Sequence, residues 1–195
     1  MSTIVVVRKS GKVCIAADSL TSFGDLSMGS RYEVAYDKIQ KFQNGFYGIV
    51  GSAAHALVME SILKEDAQKE NEIDIDFSGR EKIFESFRAL HPVLKDKYFL
   101  NSKDEDEDPY EATHIDALIA NENGIFGIFS LREVSEFNKF WAIGSGSEFA
   151  LGAMFAVYNQ LDSAEEIAKI GVEAGAEFNN GTALPMTSYT LDLKE

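Results

Sequence analysis

The residues at the start of the chain could form a nucleophile that needs no histidine. Removal of Met1 would leave Ser2 with both a hydroxyl and a free α-amine, and the amine could act as the base for that hydroxyl. Such a nucleophile needs a nearby cation, a carboxylate that holds the cation, and backbone N–H groups directed at the developing oxyanion. Lys38 could supply the cation, Asp18 the carboxylate and Gly51 a backbone donor. Together these groups predict acyl-transfer chemistry.

A further candidate is Ser145, which lies between two glycines where a strand passes into a helix, so that its hydroxyl and exposed amides could approach a ligand. Each candidate also has a simpler interpretation. Asp18 could cap a turn, Lys38 could face solvent on an edge strand with Lys41 as a competing neighbour, and Ser145 could be a helix N-cap. The three histidines are scattered and lack the serine or cysteine partner motif of a triad hydrolase.

The elements that must position these residues follow from the periodicity of apolar side chains. Two β-branched runs predict a first hairpin, and Asn44-Gly45 joins a similar pair of strands. The predicted strands are 3–9, 12–17, 38–43, 46–50, 113–120, 124–129, 139–143 and about 188–193, and the predicted helices are 53–64, about 80–97, and two that follow Gly146 and Asp162.

The order of these elements is strands, two helices, strands, two helices and a strand. This order lacks the strict alternation of a parallel α/β sheet and favours two antiparallel sheets between helical layers. We therefore expect an α+β fold, a four-layer αββα sandwich. The absence of an internal repeat or an interdomain linker in the sequence predicts one domain over residues 1–195.

The composition excludes several function classes. With 18 Lys and Arg against 32 Asp and Glu, the net charge is −14, which disfavours nucleic acid or an anionic membrane as a partner. No apolar run reaches membrane-spanning length and no signal peptide is recognisable, so we expect a cytoplasmic protein. The single cysteine, Cys14, lies in an apolar run and is expected to be a buried strand thiol.

The acidic run at 103–108 departs from the pattern of alternating elements and is predicted to be a loop. A calcium-binding loop of the EF-hand type is disfavoured, because Pro109 stands where glycine is required and Ile115 where the closing glutamate belongs. No metal site is predicted. The sequence leaves open whether this run is a solvated loop or lines a pore.

Four segments of the chain resemble proteasome β-type subunits, most of all the bacterial HslV peptidase branch, and suggest a bacterial proteasome homologue with serine as the nucleophile. These segments occur in the family's order and span nearly the whole chain. They are 2–5 with 16–18, 37–39, 50–53 and 141–146.

The resemblance implies the N-terminal nucleophile hydrolase fold and assigns roles to the candidates. In the family the nucleophile precedes the active-site aspartate by sixteen residues, which from Asp18 selects Ser2 rather than Thr3. By the same resemblance Lys38 assists the nucleophile, Asp18 holds Lys38 in place, and the backbone N–H of Gly51 is the oxyanion donor.

Further roles come from the resemblance alone. Ser145 would position the free amine and a water molecule, Ser22 would bind the substrate backbone, and Ile49 would form the base of an apolar pocket. The family's late Asp-x-x-Ser pair would correspond to Glu177 and Asn180. The segment between Asp18 and Lys38 is longer than is usual in the family and is expected to alter the surface near the substrate channel.

The function implied is that of an endopeptidase subunit, in homo-oligomeric stacked rings, that hydrolyses proteins or peptides through Ser2 without a metal or organic cofactor. Methionine aminopeptidase would remove Met1. An ATP-dependent unfoldase is a possible partner, because the chain itself has no ATP-binding motif. Two alternatives stay open: a catalytically silent ring subunit that keeps Met1, and a small-amide hydrolase on the same scaffold.

Overall fold

The structure is a computed structural model that describes residues 1–67, 73–101 and 111–194, so the predicted acidic loop at 103–108 lies outside the described residues. Within these ranges the strands are β1 (Ile4–Lys9), β2 (Lys12–Asp18), β3 (Thr21–Phe23), β4 (Leu26–Met28), β5 (Ile39–Phe42), β6 (Gly45–Val50), β7 (Asp116–Asn121), β8 (Gly124–Phe129), β9 (Glu133–Phe137), β10 (Phe140–Ile143) and β11 (Met186–Asp192). The α-helices are α1 (Ala53–Ala67), α2 (Arg80–Pro92), α3 (Ser147–Val157) and α4 (Ala164–Phe178).

The strands form two larger antiparallel sheets and one small hairpin. The first sheet has the order β10-β1-β2-β11, the second has the order β5-β6-β7-β8-β9, and β3 pairs with β4. In the first sheet β1 and β2 are joined by the tight turn at Ser10 and Gly11, both of which have positive φ. This hairpin fixes the register that brings the start of the chain beside the end of β2.

Three apolar cores stack the elements into four layers. One core, with Val5, Met154 and Val172, lies between the first sheet and helices α3 and α4. A second, with Ile4 and Leu118, lies between the two sheets, and a third lies between the second sheet and helices α1 and α2. The alternation of apolar side chains in β1 explains this arrangement, because successive residues of a strand point to opposite faces. The predicted αββα sandwich is confirmed.

Both predicted hairpins and all four predicted helices are present, although α2 ends in a π-helical turn at Val93–Lys97. Strands β3, β4 and β9 were not predicted. Cys14 is buried on β2 as expected, and its burial raises the pKa of the thiol to about 11. In the three described ranges, no helix is long and apolar enough to cross a membrane.

Candidate active site

The antiparallel pairing of β1 and β2 places Asp18 beside the first residues of the chain. Ile4 pairs with Ala17, and the pairing continues past the strand, where the Asp18 N–H donates to the Thr3 carbonyl at 3.2 Å. The Thr3 N–H in turn donates to Asp18 Oδ1 at 2.9 Å. The hairpin register therefore determines that a carboxylate lies next to Ser2.

Lys38 joins this carboxylate to the Ser2 hydroxyl. Its Nζ donates to Asp18 Oδ1 at 2.8 Å and to Ser2 Oγ at 3.0 Å. Lys38 immediately precedes β5. Strand β5 of the second sheet contacts β2 of the first sheet, so Lys38 lies close to Asp18 at the end of β2. The competing candidate, Lys41, is exposed on β5. A cation, a carboxylate and a hydroxyl thus form one hydrogen-bonded chain, and the catalytic roles of these three residues stay predictions.

The Asp18 side chain is fully buried, and its charge is stabilised by several donors besides Lys38. The backbone N–H groups of Leu20 and Ala183 donate to Oδ2 at 3.0 and 3.3 Å, and that of Thr3 donates to Oδ1. A buried carboxylate with this many partners is held in one orientation. Asp18 can therefore keep Lys38 directed at Ser2.

Burial lowers the pKa of Lys38, while the charges of Asp18 and Glu33 and the hydrogen bond to Asp18 partly oppose that effect. Desolvation disfavours the charged ammonium, and the nearby carboxylates favour it. A lysine with a lowered pKa exchanges a proton more readily near neutral pH than an exposed lysine does. Lys38 is thus suited to adjust the charge around the Ser2 hydroxyl.

Thr3 has a hydroxyl too, but that group points into the protein. Its Oγ1 lies 2.8 Å from Thr182 Oγ1 in a fully buried contact and packs closely against Gly146 and Gly175. A hydroxyl enclosed in this way has no path to a substrate carbonyl. The geometry favours Ser2, as the spacing to Asp18 did.

In the unprocessed chain, Ser2 is tied to Met1. Ser2 Oγ donates to the Met1 carbonyl at 2.6 Å, and the Ser2 nitrogen is part of the peptide bond. The Met1 side chain packs against Gly181, close to Ser145 Oγ. Removal of Met1 would therefore release both the hydroxyl and an amine next to Ser145.

Two glycines shape the backbone around Ser2. Gly144 has φ +94 and contacts the Ser2 carbonyl so closely that an added Cβ would lie 2.1 Å from the oxygen. The Gly146 N–H donates to the same carbonyl at 3.4 Å.

Gly51 has φ +101 between β6 and α1, and the space that a Cβ would enter is open. A substrate could approach the backbone at Gly51 without a clash.

Ser145 is held by Asn179, a residue that the sequence interpretation did not select. Ser145 Oγ donates to Asn179 Oδ1 at 2.9 Å, and Asn179 Nδ2 donates to the Ser145 carbonyl at 3.0 Å. Thr182 Oγ1 also donates to Asn179 Oδ1, at 3.4 Å. The expected Asp-x-x-Ser pair therefore has its best geometric counterpart in Asn179-x-x-Thr182.

This counterpart differs from the predicted pair, Glu177 and Asn180, both of which are exposed. A catalytic role for Glu177 and Asn180 stays a prediction. The hydrogen bonds to Ser145 and between the side chains favour Asn179 and Thr182 instead. Asn179 and Thr182 could have been found from the sequence, because an amide and a hydroxyl side chain lie three positions apart there, provided that asparagine is accepted in place of aspartate.

The two residues predicted to bind substrate lie on strands β3 and β6. Ser22 is half-buried on β3, four residues after Asp18, and pairs with Ser27 of β4. Ile49 lies on β6, two residues before Gly51, and is buried in the core against α1 and α2. Their roles toward a substrate stay predictions.

Comparisons with known proteins agree with this geometry. The chain is 28% identical over 197 residues to the "ATP-dependent protease subunit HslV" of Bartonella quintana (strain Toulouse), covering 98% of this chain and 89% of that protein. The structure of Thiobacillus denitrificans BPH in complex with Epoxomicin matches with a TM-score of 0.87 and 36% identity, over 99% of this chain and all of that one. The chain belongs to the HslV-like, proteasome-type peptidases.

Other comparisons extend this placement in the HslV-like peptidases. A second structure of Thiobacillus denitrificans BPH matches with a TM-score of 0.86 and 37% identity, over 98% of each chain. The HslV of Trypanosoma brucei shares the fold with a TM-score of 0.67 at 20% identity, over 97% of this chain and 99% of that one. No protein-family model matches the chain. The predicted resemblance to the HslV branch is confirmed, and the protein is a proteasome-type hydrolase.

Proposed function

We propose that Ser2, exposed by removal of Met1, is the nucleophile of an endopeptidase and that residues 1–195 act as one proteasome β-type peptidase domain. The observation that carries this proposal is the position of Lys38 Nζ, 3.0 Å from Ser2 Oγ and 2.8 Å from Asp18, while the Thr3 hydroxyl is buried against Thr182.

The reaction begins when Ser2 Oγ attacks the carbonyl carbon of the scissile peptide bond. The free α-amine of Ser2 accepts the hydroxyl proton, and the positive charge of Lys38 favours the developing alkoxide. The Gly51 N–H donates to the oxyanion of the tetrahedral intermediate. When the C–N bond breaks, the ammonium returns the proton to the leaving amine, which departs and leaves an ester on Ser2.

Hydrolysis of the ester repeats these steps with water. The α-amine accepts a proton from the water, the hydroxide equivalent attacks the ester carbonyl, and Ser2 Oγ leaves and takes the proton back. Ser145 is suited to orient that water, because its Oγ lies beside the space that Met1 occupies and the side-chain amide of Asn179 fixes Ser145 from two sides.

The working form is a homo-oligomer of stacked rings. Exposed aromatic side chains on α3 and at the end of α4 support association, since Phe155 is 78% exposed and the rings of Phe149 and Phe178 contact each other at the surface in a tilted arrangement, with centroids 5.6 Å apart. The HslV relative is described as a protease subunit and as ATP-dependent. An ATP-dependent unfoldase is accordingly a candidate partner, and proteins or peptides are the substrates.

The proposal is tested by the intact mass of the purified protein before and after incubation with epoxomicin, an epoxyketone that needs both a terminal hydroxyl and its free amine. The bound Epoxomicin of the Thiobacillus denitrificans protein supports this choice of probe. We expect a chain that lacks Met1 and gains one adduct, with no adduct on Ser2→Ala. A chain that keeps Met1 would support the silent ring subunit. A processed chain that stays unmodified, yet cleaves small amides as a monomer or dimer, would support the amidase alternative.

A further inference from the structure

A carboxylate from outside the predicted site reaches the nucleophile cluster. Glu33 follows the short 3-10 turn at Ser30–Tyr32, within the lengthened segment between Asp18 and Lys38. The hydroxyl of Thr21, the first residue of β3, donates to Glu33 Oε2 at 2.8 Å. Because β3 begins three residues after Asp18, this bond anchors the carboxylate beside the catalytic cluster.

The charge of Glu33 has no cation of its own among the described residues. Lys38 is already paired with Asp18 at 2.8 Å, and none of the ion pairs within the described ranges includes Glu33. Glu33 is nevertheless close enough that its charge favours the charged form of Lys38. Asp18, Lys38 and Glu33 together carry one surplus negative charge when the Ser2 amine is neutral, as a base must be.

Of the two other acidic residues in this segment, Asp25 is exposed in the turn between β3 and β4, and Asp37 is hydrogen-bonded elsewhere. Its carboxylate accepts hydrogen bonds from the Tyr189 hydroxyl at 2.6 Å, the Thr187 hydroxyl at 2.8 Å and the Ile39 N–H at 2.9 Å. These bonds hold Asp37 against β11. Asp37 is therefore held by three donors, whereas Glu33 is held by the Thr21 hydroxyl and keeps its charge available to a substrate.

A substrate must bring its scissile carbonyl to Ser2 Oγ, which places the residues that flank the scissile bond near Lys38 and β3. The flexible stems of lysine and arginine carry a charge several ångströms from the backbone, enough to reach a half-buried carboxylate beside this position. An ion pair that closes only with the correct side chain raises specificity because the other side chains leave the carboxylate unpaired.

We propose that Glu33, anchored by Thr21, is a specificity-determining residue that makes the site prefer peptides with lysine or arginine beside the scissile bond. This inference rests on the proposed function of Ser2 and names its substrate class. Because alternate side chains of an extended peptide point the same way, the lysine or arginine can stand at the residue that carries the scissile carbonyl or two positions before that residue.

The test compares kcat/KM for three matched fluorogenic peptides, with leucine at both positions, lysine at the first, or lysine at the second. For the wild type we expect at least one lysine peptide to be cleaved about tenfold better than the leucine peptide, the size of one charge-assisted hydrogen bond. The preference should shrink as salt concentration rises. Glu33→Gln should bring the ratio of lysine to leucine cleavage close to one, and Glu33→Lys should make the lysine peptides poorer substrates than the leucine peptide.

Two controls separate this inference from other effects. Asp25→Asn removes an exposed charge in the turn between β3 and β4 and should keep the lysine preference, which excludes general acidity of the surface. Circular dichroism of each variant excludes loss of folding, and Glu33→Asp, which keeps the charge, should retain part of the preference.

The possible outcomes separate a failure of the Glu33 inference from a failure of the proposed function of Ser2. If epoxomicin labels the wild type but the lysine and leucine peptides are cleaved equally, or if Glu33→Gln slows both peptides alike, Glu33 acts only through Lys38 and the inference is overturned. If the wild type is not labelled at all, the proposed function of Ser2 fails, and the substrate preference falls with it.

Discussion

The side-chain amide of Asn179 holds Ser145 from two sides: Ser145 Oγ donates to Asn179 Oδ1 at 2.9 Å, and Asn179 Nδ2 donates to the Ser145 carbonyl at 3.0 Å. Asn179 Oδ1 also accepts the Gly181 N–H at 2.9 Å. One neutral side chain thus joins the turn after β10 to the turn after α4, directly beside Ser2 and Met1.

We expect Asn179→Ala to slow epoxomicin labelling by about tenfold or more and to lower the free energy of unfolding by about 2 kcal/mol, because it removes hydrogen bonds that fix Ser145. The labelling rate and denaturant unfolding measure the two effects. Asn180→Ala, at the adjacent exposed position, is the matched control. A larger effect at Asn180 than at Asn179 would restore the pair predicted from the sequence.

Lys38→Met should reduce the labelling rate at least about a hundredfold, since the hydroxyl of Ser2 loses its positive neighbour. Lys41→Met removes an exposed lysine from the same region of the chain and should label at the rate of the wild type. Equal rates for Lys38→Met and the wild type would contradict the role of Lys38. Denaturant unfolding of Lys38→Met is required alongside, because the variant leaves the buried Asp18 charge without its cation.

The buried thiol of Cys14 predicts a loss of stability in alkali. Its folded pKa is raised to about 11 by burial, above its ordinary value of 9.0, so the folded state keeps a proton that the unfolded state releases. The free energy of unfolding therefore falls as pH rises through this window, by about 2 kcal/mol between pH 9 and 11. Urea unfolding of the wild type and Cys14→Ala at several pH values should show a shallower decline for the variant. Parallel curves for the two proteins would refute this assignment.

The exposed aromatic side chain of Phe155 predicts a contact between copies of the chain. Phe155→Glu should convert the proposed ring oligomer to smaller species, because a charge would have to be buried in an apolar contact. Light scattering after size-exclusion chromatography reports the mass. Asn159→Glu adds the same charge just beyond α3 without removing an apolar group, and should assemble normally. Assembly of both variants to the size of the wild type would place Phe155 outside the contact.

The sequence predicted the elements whose signals are local. The β1–β2 hairpin follows from β-branched alternation and the turn at Ser10-Gly11, and this hairpin alone brings Ser2 and Asp18 together. Strand β9 was missed because it is an edge strand with only β8 as a neighbour, and its Glu133–Phe137 segment mixes exposed and buried positions. Strands β3 and β4 have three residues each, too few for a period to show.

In the candidate site, too, some residues could be predicted from their type and order, whereas others are revealed only by their contacts. Lys38 and Asp18 are of the residue types that the chemistry requires, so a search by type and order found them. Asn179 is neutral where a carboxylate was expected, and only its contacts with Ser145 reveal it. Glu33 was not predicted either, because its proximity to Lys38 depends on the path of the chain after β4, which no local pattern specifies.

A crystal structure of the protein treated with epoxomicin tests the central claim most directly. We expect Met1 to be absent and the inhibitor to be bonded to both the hydroxyl oxygen and the α-amine nitrogen of Ser2, with Lys38 Nζ still within hydrogen-bond distance of that oxygen. A retained Met1, an inhibitor bonded to Thr3 or elsewhere, or a processed Ser2 without inhibitor would contradict the assignment of Ser2 as the nucleophile.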